Sequence, residues 1–133
     1  MVSDSLPITV GVAQGSILVP LLFIIYINNL PTIVTYSKMM LYADDAVIYC
    51  YKSNLQDLEK EVNEDLLIIA KWLNDNKLTS NLKKTKYMLI GSNCKLGNTR
   101  TLSVSIFDQE ISNVNRFKYL GEFYLMILHG QII

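Results

Sequence analysis

Met39-Met40-Leu41-Tyr42-Ala43-Asp44-Asp45-Ala46-Val47-Ile48-Tyr49-Cys50-Tyr51 sets two β-prone runs on either side of a pair of adjacent carboxylates. Tyr, Val and Ile suit a pleated, half-buried surface and Asp suits a turn, so the stretch predicts a β-hairpin with acids at its tip. Like charges a few ångströms apart raise each other's pKa unless a cation neutralises them. A divalent metal is the usual remedy, and hard Mg²⁺ takes one or two carboxylates together with waters and substrate phosphates. Taken alone, Asp44-Asp45 also reads as ordinary turn chemistry.

Upstream of the hairpin, Gly11 and Gly15 flank Val12-Ala13-Gln14, and Ser16 sits where an N-cap would. The apolar run that follows, Ile17 to Ile27, carries Pro20 in or near its first turn and stops at Asn28-Asn29-Leu30-Pro31. This predicts a short, buried helix, since a missing N–H costs least in the first turn. The run is about half the ~20 residues of a membrane span, and no membrane association is expected. Downstream, Ser53 and Gln56 have capping-box spacing, and Leu55, Leu58, Val62, Leu66, Ile69 and Leu73 recur every three or four residues. Residues 54–75 are therefore predicted to form an amphipathic helix. Tyr87 to Ile90 reads as a strand ending at Gly91, and Leu102 to Phe107 and Arg116 to Leu120 as two more. The order of elements predicts an α+β fold with an antiparallel sheet. Phe123 to Ile133 receives no element, and His129, with no acid partner or nucleophile spacing around it, no role.

The 133 residues carry 12 Lys+Arg against 12 Asp+Glu and are 50% hydrophobic, which predicts one compact domain or part of one. Zero net charge excludes a uniformly basic surface. The balance is local: residues 53–75 hold six acids and two bases, residues 76–100 six bases and no acid. Such a block can form a phosphate-binding face, although runs of like charge are usually solvated surface. Cys50 and Cys94 have no zinc spacing and make no disulfide framework, so an intracellular, reducing setting is expected.

Tyr42-Ala43-Asp44-Asp45 resembles the YxDD catalytic hairpin of reverse transcriptases. Gly11-Val12-Ala13-Gln14-Gly15-Ser16, Leu21-Leu22-Phe23 and Tyr26-Ile27-Asn28-Asn29-Leu30-Pro31 resemble the segment preceding it in retrotransposon enzymes. Trp72, Asn76-Lys77-Leu78, Asn81 and Lys83-Lys84-Thr85-Lys86 are similar to the family's next block, and Phe117-Lys118-Tyr119-Leu120-Gly121 to its primer-gripping hairpin. The resemblance runs from about residue 10 to residue 121 and is nearest to non-LTR, LINE-like elements of jockey type. It implies a partial polymerase palm: an antiparallel sheet with a YxDD hairpin packed on two helices. Residues 1–9 are then a leader and 122–133 a tail without assignment.

The resemblance further implies RNA-directed DNA polymerisation through two Mg²⁺ ions, with an RNA template, a DNA primer and deoxynucleoside triphosphates as partners. Asp44 matches a metal ligand and Asp45 the second, supporting acid. Gln14, Gly15, Ser16 and Tyr42 match substrate-binding positions, and Lys84 or its neighbour Lys83 a lysine beside the leaving pyrophosphate. Phe117, Lys118, Tyr119, Leu120 and Gly121 match the primer grip. Departures from the family pattern are Ala13 for a usual Pro, Val19 for a Gly and Asn29 for an Asp. The family takes a further metal-binding Asp from a strand upstream of the Gly-Gln-Gly segment, and only ten residues precede Gly11. The chain is accordingly expected to be a fragment, inactive alone, without the family's fingers and thumb. The competing expectation is a catalytically silent nucleic-acid-binding remnant working through residues 77–100.

Overall fold

The computed structural model describes residues 17–42, 45–91, 101–115 and 124–129. Its elements are α1 (Leu18–Ile27), a 3-10 turn (Leu30–Thr32), β1 (Lys38–Tyr42), β2 (Asp45–Lys52), α2 (Leu55–Asp75), β3 (Lys86–Ile90), β4 (Ser105–Ile106), β5 (Gln109–Glu110), β6 (Ser112–Asn113) and β7 (Tyr124–His129). The fold is mixed α/β. A five-stranded sheet runs β1-β2-β7-β3-β6, and β4-β5 form a separate two-stranded ladder.

The hydrophobic spacing of α2 explains the packing. Leu58, Val62, Leu66, Ile69, Ala70 and Leu73 make a buried stripe against Ile48, Cys50, Tyr87, Leu102, Val104, Ile106 and Ile111. The helix starts at Asn54, whose side chain accepts the Gln56 N–H at 2.9 Å, so the cap is Asn54 and not the predicted Ser53. It stops in a Schellman turn: Leu78 N–H donates to Leu73 O and Lys77 N–H to Asn74 O. Lys77 takes the left-handed position there (φ 54°), where Gly is usual. The β4-β5 connection also needs positive φ at both central residues, met by Phe107 (51°) and Asp108 (58°).

Three expectations are corrected. Only β1-β2 in the main sheet is antiparallel; β2-β7, β3-β7 and β3-β6 are parallel. The reason is α2, which returns the chain along the sheet so that β3 sets off in the direction of β2, as a helical crossover does. The segment left without an element supplies β7, which lies between those two strands. Finally, among the described residues the buried stripe facing the sheet comes from α2. In α1 only Ile27 is buried, while Leu18, Leu21, Leu22, Ile24, Ile25 and Tyr26 are exposed. An all-round apolar sequence has no stripe to choose a buried face. The Tyr26 hydroxyl donates to Asn76 O at the end of α2, and the predicted strand Arg116 to Leu120 lies outside the described residues.

Residues 101–106 are attached through polar contacts. Tyr87, 2% exposed, donates its hydroxyl to Leu102 O (2.7 Å) and accepts Leu102 N–H (2.8 Å). Burial pushes the Tyr87 phenol above its usual 10.0, an effect opposed by the hydrogen bond to Leu102. A raised folded-state pKa means that the stabilisation is complete below pH 10 and is lost as pH rises through the folded value. Tyr87→Phe leaves two main-chain groups without their partner and is expected to cost about 1–3 kcal/mol at pH 7. Urea denaturation should show the gap between wild type and variant narrowing above pH 10; a constant gap would remove the phenol from the account.

Candidate active site

β1 and β2 pair in the register Lys38↔Tyr49, Met39↔Ile48, Met40↔Val47, Leu41↔Ala46 and Tyr42↔Asp45. Residues directly opposite share a face, and faces alternate along each strand. Met39, Leu41, Ala46, Ile48 and Cys50 therefore share the face toward α2; Met39, Leu41, Ile48 and Cys50 belong to or pack against its core. Lys38, Met40, Tyr42, Asp45, Val47, Tyr49 and Tyr51 share the other face. Tyr42 is 65% exposed and Tyr51 58%, whereas Asp45 at 9% is nearly covered. Asp45 thus opens β2 as a shielded carboxylate beside an open aromatic ring.

The parallel strands fix where the basic connection lies. Val47 and Lys86 are both level with Tyr124, one on each side of β7. Neighbouring strands lie about 4.8 Å apart, so β2 and β3 are separated there by roughly 10 Å. Asp45 stands two residues before Val47 and Lys84 two residues before Lys86, which brings both chain entries to the same end of the sheet. Lys83 and Lys84 are exposed in the turn Leu82–Lys84, where Lys84 N–H and Thr85 N–H both donate to Asn81 O. The threonine hydroxyl adds a third bond to the same oxygen. One end of the sheet therefore carries a carboxylate, exposed ammonium groups and exposed aromatic surface. The exposed ammonium groups suit an anionic ligand such as phosphate.

Of the residues expected from sequence to form a site, Tyr42, Asp45 and Lys84 come to this end together. Gln14, Gly15, Ser16, Asp44, Phe117, Lys118, Tyr119, Leu120 and Gly121 lie outside the described residues. Among the described residues no group of three or more His, Cys, Asp or Glu side chains forms a metal centre, and no helix is long and apolar enough to cross a membrane. Sequence reasoning did not single out Lys38, Met40, Tyr49 and Tyr51 as neighbours of Tyr42 on one face. Strict alternation along the two β-prone runs on either side of Ala43-Asp44 was the signal for them.

The family described as reverse transcriptase (RNA-dependent DNA polymerase) matches residues 3–122. No curated protein and no solved structure matches the chain.

Because Tyr42 stands open to solvent, Tyr42→Ala is expected to change unfolding free energy by no more than about 0.5 kcal/mol. Thermal and urea denaturation check this; a larger loss would make Tyr42 a packing residue instead of a surface available to a ligand.

Proposed function

The chain belongs to the reverse transcriptase family, and from that premise we propose that it is the palm portion of an RNA-directed DNA polymerase of a non-LTR retroelement, LINE-like and of jockey type. The observation that carries the reading is the register ending at Tyr42↔Asp45, which leaves Ala43 and Asp44 to join β1 to β2. This is the spacing at which a Tyr-x-Asp-Asp hairpin offers its acids, and the exposed Lys84 shares that end of the sheet.

Asp44, with Asp45 beside it, would hold two Mg²⁺ ions, which would supply activation of the primer 3′-hydroxyl and charge stabilisation of the departing pyrophosphate. Asp44 is assigned as ligand, and Asp45 supports it by adding negative charge from the first position of β2. Adjacent carboxylates are hard oxygen donors, which fits Mg²⁺ better than a softer metal. Lys84, with Lys83 beside it, stabilises charge on the leaving pyrophosphate or gives it a proton. Gln14, Gly15 and Ser16, with Tyr42, line the pocket for template base and incoming nucleotide. Phe117, Lys118, Tyr119, Leu120 and Gly121 hold the primer end.

A second reading has one observation in its favour. Lys77, Lys83 and Lys84 are all exposed in the described part, residues 77–91, of the basic segment 77–100, which contains no acid. A silent remnant would bind nucleic acid through this basic stretch, with affinity falling steeply as salt rises.

Extension of oligo(dT) on poly(rA) with Mg²⁺ tests the proposal. The chain alone is expected to extend nothing, while Asp44→Asn is expected to weaken its Mg²⁺-dependent binding of primer–template; extension that Asp44→Asn lowers a hundredfold or more, the scale on which removing one charge-stabilising group acts, would overturn the expected inactivity. A folded wild type that binds primer–template but extends nothing, with binding unchanged in Asp44→Asn, would overturn the polymerase reading in favour of the remnant. Lys84→Gln would then lower the salt slope of binding by about one.

A further inference from the structure

The stripe of α2 contains one carboxylate. Asp65 lies among Val62, Leu66 and Ile69, and its side chain is fully buried. Its Oδ1 accepts the Thr35 N–H at 2.7 Å and its Oδ2 the Ser37 N–H at 2.6 Å; the Tyr36 N–H between them reaches Oδ2 at 3.0 Å and Oδ1 at 3.4 Å. Three consecutive main-chain donors converging on a carboxylate form an anion nest made by the protein for its own side chain. Hydrogen bonds to an ionised acceptor are about twice as strong as neutral ones, and more so away from water.

The donors end where β1 begins, at Lys38. β1 is the edge strand, paired to β2 alone over five positions. Met40 and Tyr42 on the exposed face of β1 are as apolar as Met39 and Leu41 on the face packed against the core, so its apolar pattern holds the register weakly. A slip of one residue would exchange its two faces and part Tyr42 from Asp45. Fixing the first residue of a short paired strand fixes the last as well.

We infer that Asp65 is a positioning residue for the β1–β2 pairing: by gripping the main chain of residues 35–37 it sets the register of β1, and so the Tyr42–Asp45 pair at its end. Asp65 acts from the opposite end of β1 and takes no part in the chemistry. The inference deepens the polymerase reading, and its consequence for cation binding rests on that reading.

The test compares Asp65→Asn with Leu73→Ala, which weakens the core at the far end of α2 without touching residues 35–37. Asn keeps the shape but has a single acceptor oxygen for three N–H groups. Amide hydrogen exchange is read across β1, α2 and β3, and Mn²⁺ titration is read from paramagnetic broadening of the Tyr42 and Asp45 amides. Asp65→Asn is expected to speed exchange of the β1 amides that face β2 at least tenfold relative to those of α2 and β3, and to raise the Mn²⁺ needed for half-broadening at least tenfold. Leu73→Ala should speed exchange evenly and leave the Mn²⁺ requirement unchanged. Asp65→Glu retains charge and both acceptors on a longer stem, and should fall between wild type and Asp65→Asn.

Even acceleration in Asp65→Asn, matching Leu73→Ala, would overturn the inference. So would failure of both Asp65 variants to fold, because Asp65 would then support the core and not the hairpin in particular. If wild type shows no broadening by Mn²⁺, the metal assignment fails while the exchange comparison still decides whether Asp65 sets the register.

Discussion

The apolar stripe of α2 is the surface to which the hairpin, β3 and residues 102–111 all attach. Ile48 and Cys50 reach it from β2, Tyr87 from β3, and Leu102, Val104, Ile106 and Ile111 from the segment that follows. Fully burying each Leu, Ile or Val is worth about 1.5–3 kcal/mol, so this seam supplies most of what holds the described layers together. Apolar burial has no direction, however, and does not by itself determine how an extended segment aligns with a helix. Polar groups beside the stripe supply that alignment. Asn63 accepts the Ser105 N–H and donates to Ser103 O, so one carboxamide offers the segment the donor and acceptor of a neighbouring strand. Glu59 takes the Ser103 N–H next to it. Asp65 does the corresponding work for the entry to β1.

Much of this arrangement was legible in the sequence because it depends on local rules. The three-and-four spacing of α2 and the alternation either side of Ala43-Asp44 both rest on periodicity that a single segment displays. The first helix stops before Pro31 as expected, at Ile27, and Pro31 takes the second position of the 3-10 turn, where its missing N–H is harmless. What local rules could not reveal was direction and neighbourhood. Whether β3 runs with or against β2 depends on how α2 crosses the sheet. The seat of β7 depends on two strands far from it in sequence. For α1, an apolar residue at every position satisfies burial on any side and identifies none, so hydrophobicity alone overstated how deeply it would lie.

The candidate site divides in the same way. Tyr42 and Asp45 are three positions apart and face each other across β1 and β2, so that pairing was readable directly from the two β-prone runs. Lys84 lies 39 positions after Asp45 and reaches the same sheet end only because β2 and β3 are level across β7. Asp65 illustrates a signal that was present but passed over. Its position follows Leu58 and Val62 on the face that periodicity reserves for apolar residues, and a carboxylate there must be met by hydrogen bonds. A polar residue interrupting an otherwise apolar stripe is thus evidence of a partner elsewhere in the fold, even where the partner cannot be named.

The neutral overall charge conceals an arrangement with consequences for an anionic ligand. Lys52 and Glu61 pair at 2.7 Å at the far end of β2, about 24 Å from Asp45 at 3.4 Å per residue. Lys60 and Glu64 approach within 3.9 Å on the exposed side of α2, where such a pair contributes little to stability. Neither ion pair involves Lys77, Lys83 or Lys84, and all three of those lysines are exposed. Acids of α2 therefore satisfy bases at one end of the sheet, while the bases after α2 remain open to phosphate at the other. A net charge near zero avoids indiscriminate attraction of polyanions, and the local excess still favours one approach. For a polymer of phosphates that approach leads to the end at which β2 begins with a shielded carboxylate.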